Sequence, residues 1–551
     1  MLDKRKKIFE YTLLLLIITA AAVLRFYGAV HATAVPYPSE ENVLKSVEYM
    51  TQTVSLDTNF FNHPDTVLLY AVLIVINVVS FIKTGNIVCG SISSVISGNP
   101  GSEYFAEHMI EFLYTGRCVN VLFSLVTIFI CYLIGNRFKP RFGILAALFA
   151  SLFPSYNIWS GLMLSDTCLT MLITTAVYFS ICYMQNKKNI YMVFTIIACA
   201  LAAIQKYPGL ISVCLVVYLI CNKNIQFMKE KEYKNYMKSV IVDGIKAAGI
   251  FIVTCMAAAP ALVIHFPYVI KAFVSEAGSV HLGADGLGYF GNIWFYIKVF
   301  INQAGLLTVV GSIAGGLFLI RNKSRLEYLP VFAGWLMMLL MSGLGLHWER
   351  WSLMFHTSFL LLCAYAVVVL FNSIEVKRLR NIAKTAAVVL MTYVILITGT
   401  NTFVEHLCRI CEDTRIAGTD AVAELNINKD NTCHESYTVL SNGMSGDMTS
   451  KECEYVMISS YNYDRYYNSA DRYPEMIEFY NWLENDCEKV YEITPWNKNR
   501  VMMDASIYTG FKLRTGVSQL VTNIKDIADY YNSSDEKYYG PVIKAYKVKH
   551  K

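Results

Sequence analysis

The chain has 551 residues, of which 55% are hydrophobic and 16% are charged, and its formal net charge is +5. Such a high hydrophobic share over this length exceeds what a soluble fold needs, and it predicts a polytopic membrane protein. The basic residues lie in short loops between apolar runs. The positive charge therefore indicates orientation in a bilayer and argues against nucleic acid as a partner.

The first apolar run, at 11–30, is long enough to span a bilayer. Its apolar part is too long for a secretory signal, and Arg25 follows where a small-residue cleavage site would stand, so we interpret it as a retained anchor. The basic residues at 4–7 predict a cytoplasmic N-terminus. The segment after the first span is therefore expected on the outer face.

Basic clusters alternate with apolar runs along the next part of the chain and are predicted to be cytoplasmic. These clusters lie at 137–141, 187–188, 223–238, 321–325 and 377–380. The apolar runs predict about eleven spans in all. They lie at 11–30, 117–135, 142–159, 167–184, 190–206, 208–221, 240–264, 305–320, 330–345, 351–371 and 385–403.

Two segments do not fit a simple alternation of spans and loops. The apolar run at 66–82 would place the basic cluster at 137–141 outside if it crossed the membrane, so we interpret it as a membrane-surface or re-entrant helix. The segment 265–304 mixes charged and aromatic residues and is predicted to be an outer loop with interfacial helices.

After residue 403 the sequence becomes polar and tyrosine-rich, and 404–551 is predicted to be an extracytoplasmic α/β domain. Its odd number of cysteines allows at most two disulfides and leaves one thiol, with the connectivity open. These cysteines are Cys408, Cys411, Cys433, Cys453 and Cys487. The C-x-x-C spacing of the first two is a weak zinc signal, because no second pair follows at zinc-finger distance.

Charged motifs recur at the predicted outer ends of the apolar runs, where ionisable side chains are usually functional. The first outer loop contains PSEE at 38–41 and NFFNHP at 59–64. Later outer ends carry Ser165-Asp166, Lys206-Tyr207-Pro208 and Glu349-Arg350-Trp351, and the second span begins with Arg117. The alternation of spans and loops also places His281 on the outer side.

The order and spacing of these motifs resemble the GT-C glycosyltransferases that use polyprenyl-phosphate sugars, in particular the bacterial relatives of protein O-mannosyltransferases and aminoarabinose transferase. Members have Pro-Asp-Glu in the first outer loop and then a Phe-Phe-x-Tyr/His-Pro stretch. The resemblance covers most of 1–403, with the catalytic loop at 31–116, and the tail segment 459–467 (SSYNYDRYY) is also similar. It implies a mainly α polytopic GT-C fold.

The resemblance further implies an inverting glycosyltransferase of the plasma membrane. It would move a sugar from a polyprenyl-phosphate donor, undecaprenyl phosphate in bacteria, to a glycan, lipid or protein acceptor at the outer face. Such a reaction needs a base for the acceptor and cations for the departing phosphate. The family's acidic residue falls on Ser39, a departure that moves the base to Glu40, with Glu41 as second choice.

The remaining site residues follow from the same motifs. Asp166 is expected to order the first loop or to bind sugar or a cation. The donor phosphate is assigned to Lys206, Tyr207, His281 and Arg350. The substrate is assigned to His63, His347 and Glu349. No cofactor is assigned, and a divalent metal ion is left open without any H-E-x-x-H spacing to place it.

Each assignment has a structural alternative. Glu40 and Glu41 suit the first turn of a helix capped by Ser39, and Asp166 suits a helix start. Lys206 and Arg350 suit the ends of membrane spans. Two other protein classes also stay open. Ser39 favours a non-catalytic envelope scaffold, whereas a lipid or sugar transporter or flippase is disfavoured because we find no internal repeat.

Overall fold

The computed structural model describes residues 2–97, 101, 103–139, 142–276, 287–321, 323–372, 377–441, 443–445, 448, 452–497 and 516–549. Within these ranges seven helices are long and apolar enough to cross a membrane, or up to nine if each of two bent pairs is one span. A small sheet follows near the C-terminus. This architecture confirms the predicted fold class of a mainly α polytopic membrane protein with a C-terminal α/β region.

The described helices of the N-terminal half are α1 (Leu2–His31), α2 (Pro38–Gln52), α3 (Thr66–Thr84), α4 (Ile92–Ile96), α5 (Glu103–Phe138), α6 (Phe142–Ser151), α7 (Pro154–Ser160), α8 (Ser165–Asn186), α9 (Asn189–Gln205), α10 (Val213–Lys223), α11 (Ile225–Lys229), α12 (Tyr233–Ala258) and α13 (Pro260–Ile264). Those that follow are α14 (Phe266–Glu276), α15 (Gly288–Ala304), α16 (Leu306–Arg321), α17 (Ala333–Met341), α18 (Leu353–Asn372), α19 (Lys377–Arg409), α20 (Thr414–Ala417), α21 (Thr419–Glu424), α22 (Ser460–Asn468), α23 (Pro474–Asp486) and α24 (Gly516–Asn532).

Several predicted spans are shorter or more bent than the sequence suggests. The run at 142–159 is the pair α6 and α7, bent by 57°, and the run at 305–320 is α16, which is bent by 113° against α15. The runs at 190–206, 208–221 and 330–345 lie on apolar helices of 10–17 residues. The hydropathy of a sequence indicates how long an apolar run is, but it does not indicate where the helix bends.

The helix α3 is an unbroken 19-residue helix that is long and apolar enough to cross a membrane. The interpretation of 66–82 as a membrane-surface or re-entrant helix stays a prediction, because length and apolar composition alone do not decide how a helix sits in a bilayer. In the predicted outer loop 265–304, α14 and α15 are helical, as expected for that segment.

The helices α8 and α18 lie at the centre of the bundle. In their most apolar windows 78% and 83% of residues are buried, compared with 11% for α12 at the periphery. A helix that is buried all round must satisfy its polar groups inside the protein. The N-terminal ends of these two central helices bring the motifs around 165 and 350 close together.

The C-terminal region is joined to the bundle by α19, which continues six residues past the predicted boundary at 403. The Arg409 guanidinium at its end is buried and donates to the carbonyls of Asn157, Ile158 and Gly161, at 2.8, 2.9 and 3.1 Å. These carbonyls lie at the C-terminal end of α7, where a cation is favoured. The domain boundary itself stays a prediction.

The strands are β1 (Glu412–Asp413), β2 (Thr432–His434), β3 (Tyr455–Ser459), β4 (Glu488–Ile493), β5 (Tyr538–Tyr539) and β6 (Ile543–Lys547). A four-stranded sheet has the order β2-β3-β6-β4, with β2 and β3 parallel and β6 antiparallel to both its neighbours. The strands β1 and β5 form a separate parallel pair. A disulfide joins Cys433 and Cys453, a pairing that the sequence left open.

A buried carboxyl holds the sheet to the two helices beside it. Glu435 follows β2, accepts a hydrogen bond from the Ser459 N–H at 2.8 Å and contacts the Tyr480 hydroxyl. Burial raises the pKa of Glu435 to about 8, against the opposing effect of these two hydrogen bonds. Because Ser459 is the N-cap of α22, the carboxyl fixes where that helix begins.

The raised pKa of Glu435 predicts a pH-dependent stability. The folded state holds the proton more tightly than the unfolded state, so the free energy of unfolding is highest below the ordinary pKa of 4.5 and declines as pH rises toward 8. We expect Glu435→Gln to flatten this decline, measured as the apparent melting temperature of the purified protein in detergent across this range. The exposed Glu475→Gln is the control, and a Glu435→Gln profile that matches wild type would contradict the assignment.

Candidate active site

A cavity of about 670 Å³ lies where the segment after α1, the central helices and the C-terminal region meet. The segment after α1 contributes Tyr37, Ser39, Asn42, Phe60, Asn62 and His63. The bundle contributes Lys206, Tyr207, Pro208, Leu210, Ile211, Phe273, Leu340, Met341, Leu344, Leu346, Trp348, Arg350 and Trp351. The C-terminal region adds Tyr437 and Arg465.

One wall of the cavity is an ionic cluster. Lys206 follows α9 in an extended conformation, and its Nζ donates to Asp166 Oδ1 at 2.7 Å. Arg350 Nε lies 3.7 Å from the other carboxylate oxygen of Asp166. The carboxylate lies in the first turn of α8, where it pairs with these two cations, and the cap residue Leu164 makes no side-chain cap bond. One buried anion therefore holds two cations side by side at the cavity.

Aromatic rings fix the positions of the cations. The Arg350 guanidinium lies 5.6 Å from the ring centres of Tyr37 and Trp348, and Lys206 Nζ lies 5.6 Å from that of Trp351. Arg465, from α22, lies 5.7 Å from the Trp348 ring. Cation–π contacts of this kind hold cationic groups without neutralising them. The cavity thus presents three cationic side chains from three parts of the chain.

Glu40 is not at the cavity surface but inside a buried ion pair. Both it and Arg117 are 0% exposed, and Arg117 Nε and Nη2 each donate to a different Glu40 oxygen at 2.8 Å. The backbone N–H groups of Tyr37 and Met163 also donate to Glu40 at 2.8 Å. Burial alone would raise the pKa of Glu40, but Arg117 and the two N–H groups lower it below its usual value.

The first-loop carboxylates are therefore poorly placed to act as the base. The four hydrogen bonds to Glu40 occupy both of its oxygens, so it has no oxygen directed at an acceptor. Glu41 pairs with Lys45 at 2.7 Å on α2 and does not line the cavity. Ser39 does line it, but a hydroxyl is not a base of that strength. We therefore revise the expected role of Glu40 from base to positioning of the loop.

The other predicted residues divide between the cavity and the interior. His63 and Tyr207 line the cavity, and the Tyr207 hydroxyl donates to the Phe61 carbonyl. His347 is 1% exposed beside Phe295, and neither lines the cavity. His281 lies outside the described residues.

Glu349 also lies behind the cavity and not on its surface. It is 5% exposed, and it accepts hydrogen bonds from the Gln303 amide and, at 3.4 Å, from Ser155 Oγ. These contacts join Glu349 to α7 and α15 and give it a packing role. His347 is likewise buried away from the cavity, so neither residue is placed to contact a substrate there. The adjacent residue, Arg350, faces the cavity instead.

Sequence reasoning gave no role to Arg117, Arg465 or Tyr437. Arg117 was among the motifs that resemble the family, but its buried partner Glu40 has no local sequence signal. Arg465 lies within the tail segment at 459–467 that resembles the family, and this likeness was the signal that could have found it. No group of three or more His, Cys, Asp or Glu side chains in the described ranges is arranged to hold a metal ion, so the metal left open by the sequence has no assigned site.

Residues 113–242 match the model of the family described as dolichyl-phosphate-mannose-protein mannosyltransferase. The matched segment contains Arg117, Asp166, Lys206 and Tyr207. This match confirms the resemblance to the GT-C glycosyltransferases. Among curated proteins, no relative matches.

Two solved structures are distantly similar to this chain. ArnT from Cupriavidus metallidurans bound to undecaprenyl phosphate is 11% identical, with a TM-score of 0.44 over 96% of this chain and 97% of that chain. The oligosaccharyltransferase of Archaeoglobus fulgidus in the apo form is 10% identical, with a TM-score of 0.46 over 97% of this chain and 88% of that chain.

The buried pair of Glu40 and Arg117 predicts a large loss of stability on mutation. Glu40→Ala leaves a buried guanidinium without its carboxylate, which ordinarily costs about 3–5 kcal/mol. The matched control is Glu41→Ala, which breaks an exposed pair worth about 0.3–0.5 kcal/mol. We expect a clear drop in the apparent melting temperature for Glu40→Ala and almost none for Glu41→Ala. Equal effects of the two changes would contradict the structural role of Glu40.

Proposed function

We propose that this protein is an inverting glycosyltransferase that moves a sugar from a polyprenyl-phosphate donor to an acceptor at the outer face of a membrane. The observation that carries the proposal is the cavity in which Lys206, Arg350 and Arg465 lie beside an apolar wall. Cations stabilise a departing phosphate, and apolar side chains accommodate a lipid chain. The family match over 113–242 supports the same chemistry.

The cations are arranged to bind a phosphate without a large rearrangement. Asp166 is 3% exposed behind Lys206 and Arg350, so its charge holds both cations in place without itself lining the cavity. Two cations on one anion leave a net positive charge toward the cavity. A phosphate group entering there would accept charge-assisted hydrogen bonds, which are the stronger kind in proteins.

The apolar wall suits the lipid part of such a donor. It is formed by the 3-10 helix Tyr207–Ser212, by the end of α17 with the residues after it, and by α14. These elements contribute, among others, Leu210, Leu340 and Phe273. These three side chains line the cavity and are 46%, 52% and 41% exposed. Exposed apolar residues on a membrane protein face lipid. We therefore propose that the polyprenyl chain enters the cavity sideways from the bilayer.

The tail disulfide supports the proposed orientation. Disulfides persist in oxidising compartments, and Cys433–Cys453 lies in the region that adds Arg465 to the cavity. We propose that the C-terminal region and the cavity face outward, that the N-terminus is cytoplasmic, and that the protein resides in the plasma membrane. The acceptor, a glycan, lipid or protein, would approach from the same side.

A second function is favoured by one observation. Among the described side chains that line the cavity there is no Asp or Glu, and Ser39 occupies the place where the family carries an acid. A non-catalytic envelope protein that binds a lipid phosphate would have the cations without the base. Binding without transfer would identify that function.

The test of the proposed function uses purified protein in nanodiscs, with undecaprenyl phosphate for binding and a panel of synthetic polyprenyl-phosphate sugars for sugar release or transfer. We expect Arg350→Gln and Lys206→Met each to weaken undecaprenyl phosphate binding roughly tenfold or more, because each removes a charge-assisted interaction. The matched control is Lys271→Met, an exposed lysine on α14 that does not line the cavity.

Loss of Lys206 also leaves Asp166 short of a cation, so the double variant Lys206→Met/Asp166→Asn separates stability from binding. It removes both charges of the Lys206–Asp166 pair, and because Arg350 then lacks its carboxylate, we expect it to restore stability in part and the affinity for undecaprenyl phosphate not at all. Unchanged affinity in all of these variants would overturn the phosphate assignment. Binding by wild type without transfer from any donor would favour the second function.

A further inference from the structure

The cavity has cations for a leaving phosphate, but its described lining offers no carboxylate to activate an acceptor. Glu40 is enclosed by four hydrogen bonds, and Asp166 is occupied by Lys206 and Arg350. An inverting transfer still needs a group that takes the acceptor proton. Histidine commonly serves as a base near neutral pH, and the histidine among the described lining residues is His63.

His63 is held by a carboxylate on the side away from the cavity. Its Nδ1 lies 2.7 Å from Oδ2 of Asp65, whose side chain is 2% exposed. Because a carboxylate only accepts hydrogen bonds, Nδ1 carries a proton, and in the neutral imidazole Nε2 then has the lone pair. Among the described residues no hydrogen bond engages Nε2. The Phe60 ring packs edge-on against the imidazole, with the ring centres 4.7 Å apart.

Asp65 itself is fixed by the backbone around it. It is the N-cap of α3 with φ of 49°, a left-handed conformation that is uncommon for a residue with a side chain, and its N–H donates to the Gln205 carbonyl at 2.9 Å. Gln205 also accepts the Leu68 N–H through its side chain at 3.0 Å. The residue after Gln205 is Lys206. Gln205 therefore helps to position both the Asp65 carboxylate behind His63 and the Lys206 cation proposed for the phosphate.

We propose that His63 is the general base of the transfer and that Asp65 is its positioning residue; this rests on the proposed function. The acceptor hydroxyl or amine attacks the anomeric carbon and forms the new bond, while the bond from that carbon to the phosphate oxygen breaks. The electron pair leaves with the polyprenyl phosphate beside Lys206 and Arg350. The acceptor proton passes to Nε2, and Asp65 stabilises the resulting imidazolium.

Charged and titratable groups surround His63 on several elements. The cavity side holds Tyr37, Lys206, Tyr207, Arg350, Tyr437 and Arg465, with Asp65 and Asp166 behind them. Arginine and tyrosine side chains ordinarily do not titrate near neutral pH. Asp65 is the carboxylate bonded directly to the imidazole, and its negative charge favours the imidazolium that forms as the acceptor proton arrives. Its removal should move the acidic limb of the rate profile to lower pH.

The experiment measures sugar transfer from polyprenyl-phosphate sugars in nanodiscs for wild type, His63→Gln, His63→Ala and Asp65→Asn. We expect His63→Gln to lower kcat about a hundredfold or more, with undecaprenyl phosphate affinity and the KM for the donor nearly unchanged. Added imidazole should restore part of the rate of His63→Ala. Asp65→Asn should lower kcat less and shift the acidic limb of the kcat profile to lower pH.

The chain offers a matched control in a second histidine–aspartate pair. His265 Nε2 lies 3.1 Å from Asp57 Oδ2 and does not line the cavity, so His265→Gln should leave kcat and its pH profile as in wild type. A His63→Gln variant with wild-type kcat would overturn the proposal, as would a variant whose loss is entirely in undecaprenyl phosphate affinity. If His63→Gln misfolds, an unshifted acidic limb in Asp65→Asn overturns it.

Wild type alone tests the proposed function, separately from the test of the base proposal. If wild type binds undecaprenyl phosphate but transfers from no donor in the panel, the transferase proposal fails and the base proposal falls with it. If wild type transfers and the His63 variants transfer equally well, the transferase proposal stands and the base proposal alone fails.

Discussion

The buried ion pair between Glu40 and Arg117 organises the end of the bundle that carries the cavity. Through its four hydrogen bonds Glu40 joins the start of α2 to α5 and to the Met163 N–H, which lies three residues before Asp166. Arg117 extends the same contact to the Thr33 carbonyl at 2.8 Å. Removal of either partner from such a buried pair is strongly destabilising. The pair therefore fixes the segment after α1, the helix α5 and the ionic cluster behind the cavity relative to one another.

The charges around the cavity are arranged in two layers. The carboxylates Glu40, Asp65 and Asp166 are buried, at 0%, 2% and 3% exposure, while cations and imidazole face the open space. Each buried anion has a partner that offsets the cost of its burial. This arrangement keeps the cavity positive although the surrounding segments are rich in acids. It suits a site that must attract a phosphate and then release it as an anion.

The sequence was a good guide to the fold class and to which motifs meet, but a poor guide to which member of each motif faces the cavity. The spacing of apolar runs predicted the helical bundle, and the motifs at 166, 206 and 350 do converge. Yet Glu40 and Glu349 turn inward while Ser39 and Arg350, their direct neighbours, line the cavity. Adjacent residues at the start of a helix point in different directions, and only tertiary contacts decide which direction is buried.

The C-terminal region takes part in the cavity even though it follows a change of composition that marks a domain boundary in the sequence. Arg409 attaches it to the carbonyl end of α7, and Asn523 on α24 donates to Thr400 Oγ1 of α19 at 2.8 Å. Glu435 then sets the start of α22, the helix that carries Arg465. Because the third cation depends on this chain of contacts, a bundle that ends at residue 403 would retain Lys206 and Arg350 but present a less positive cavity.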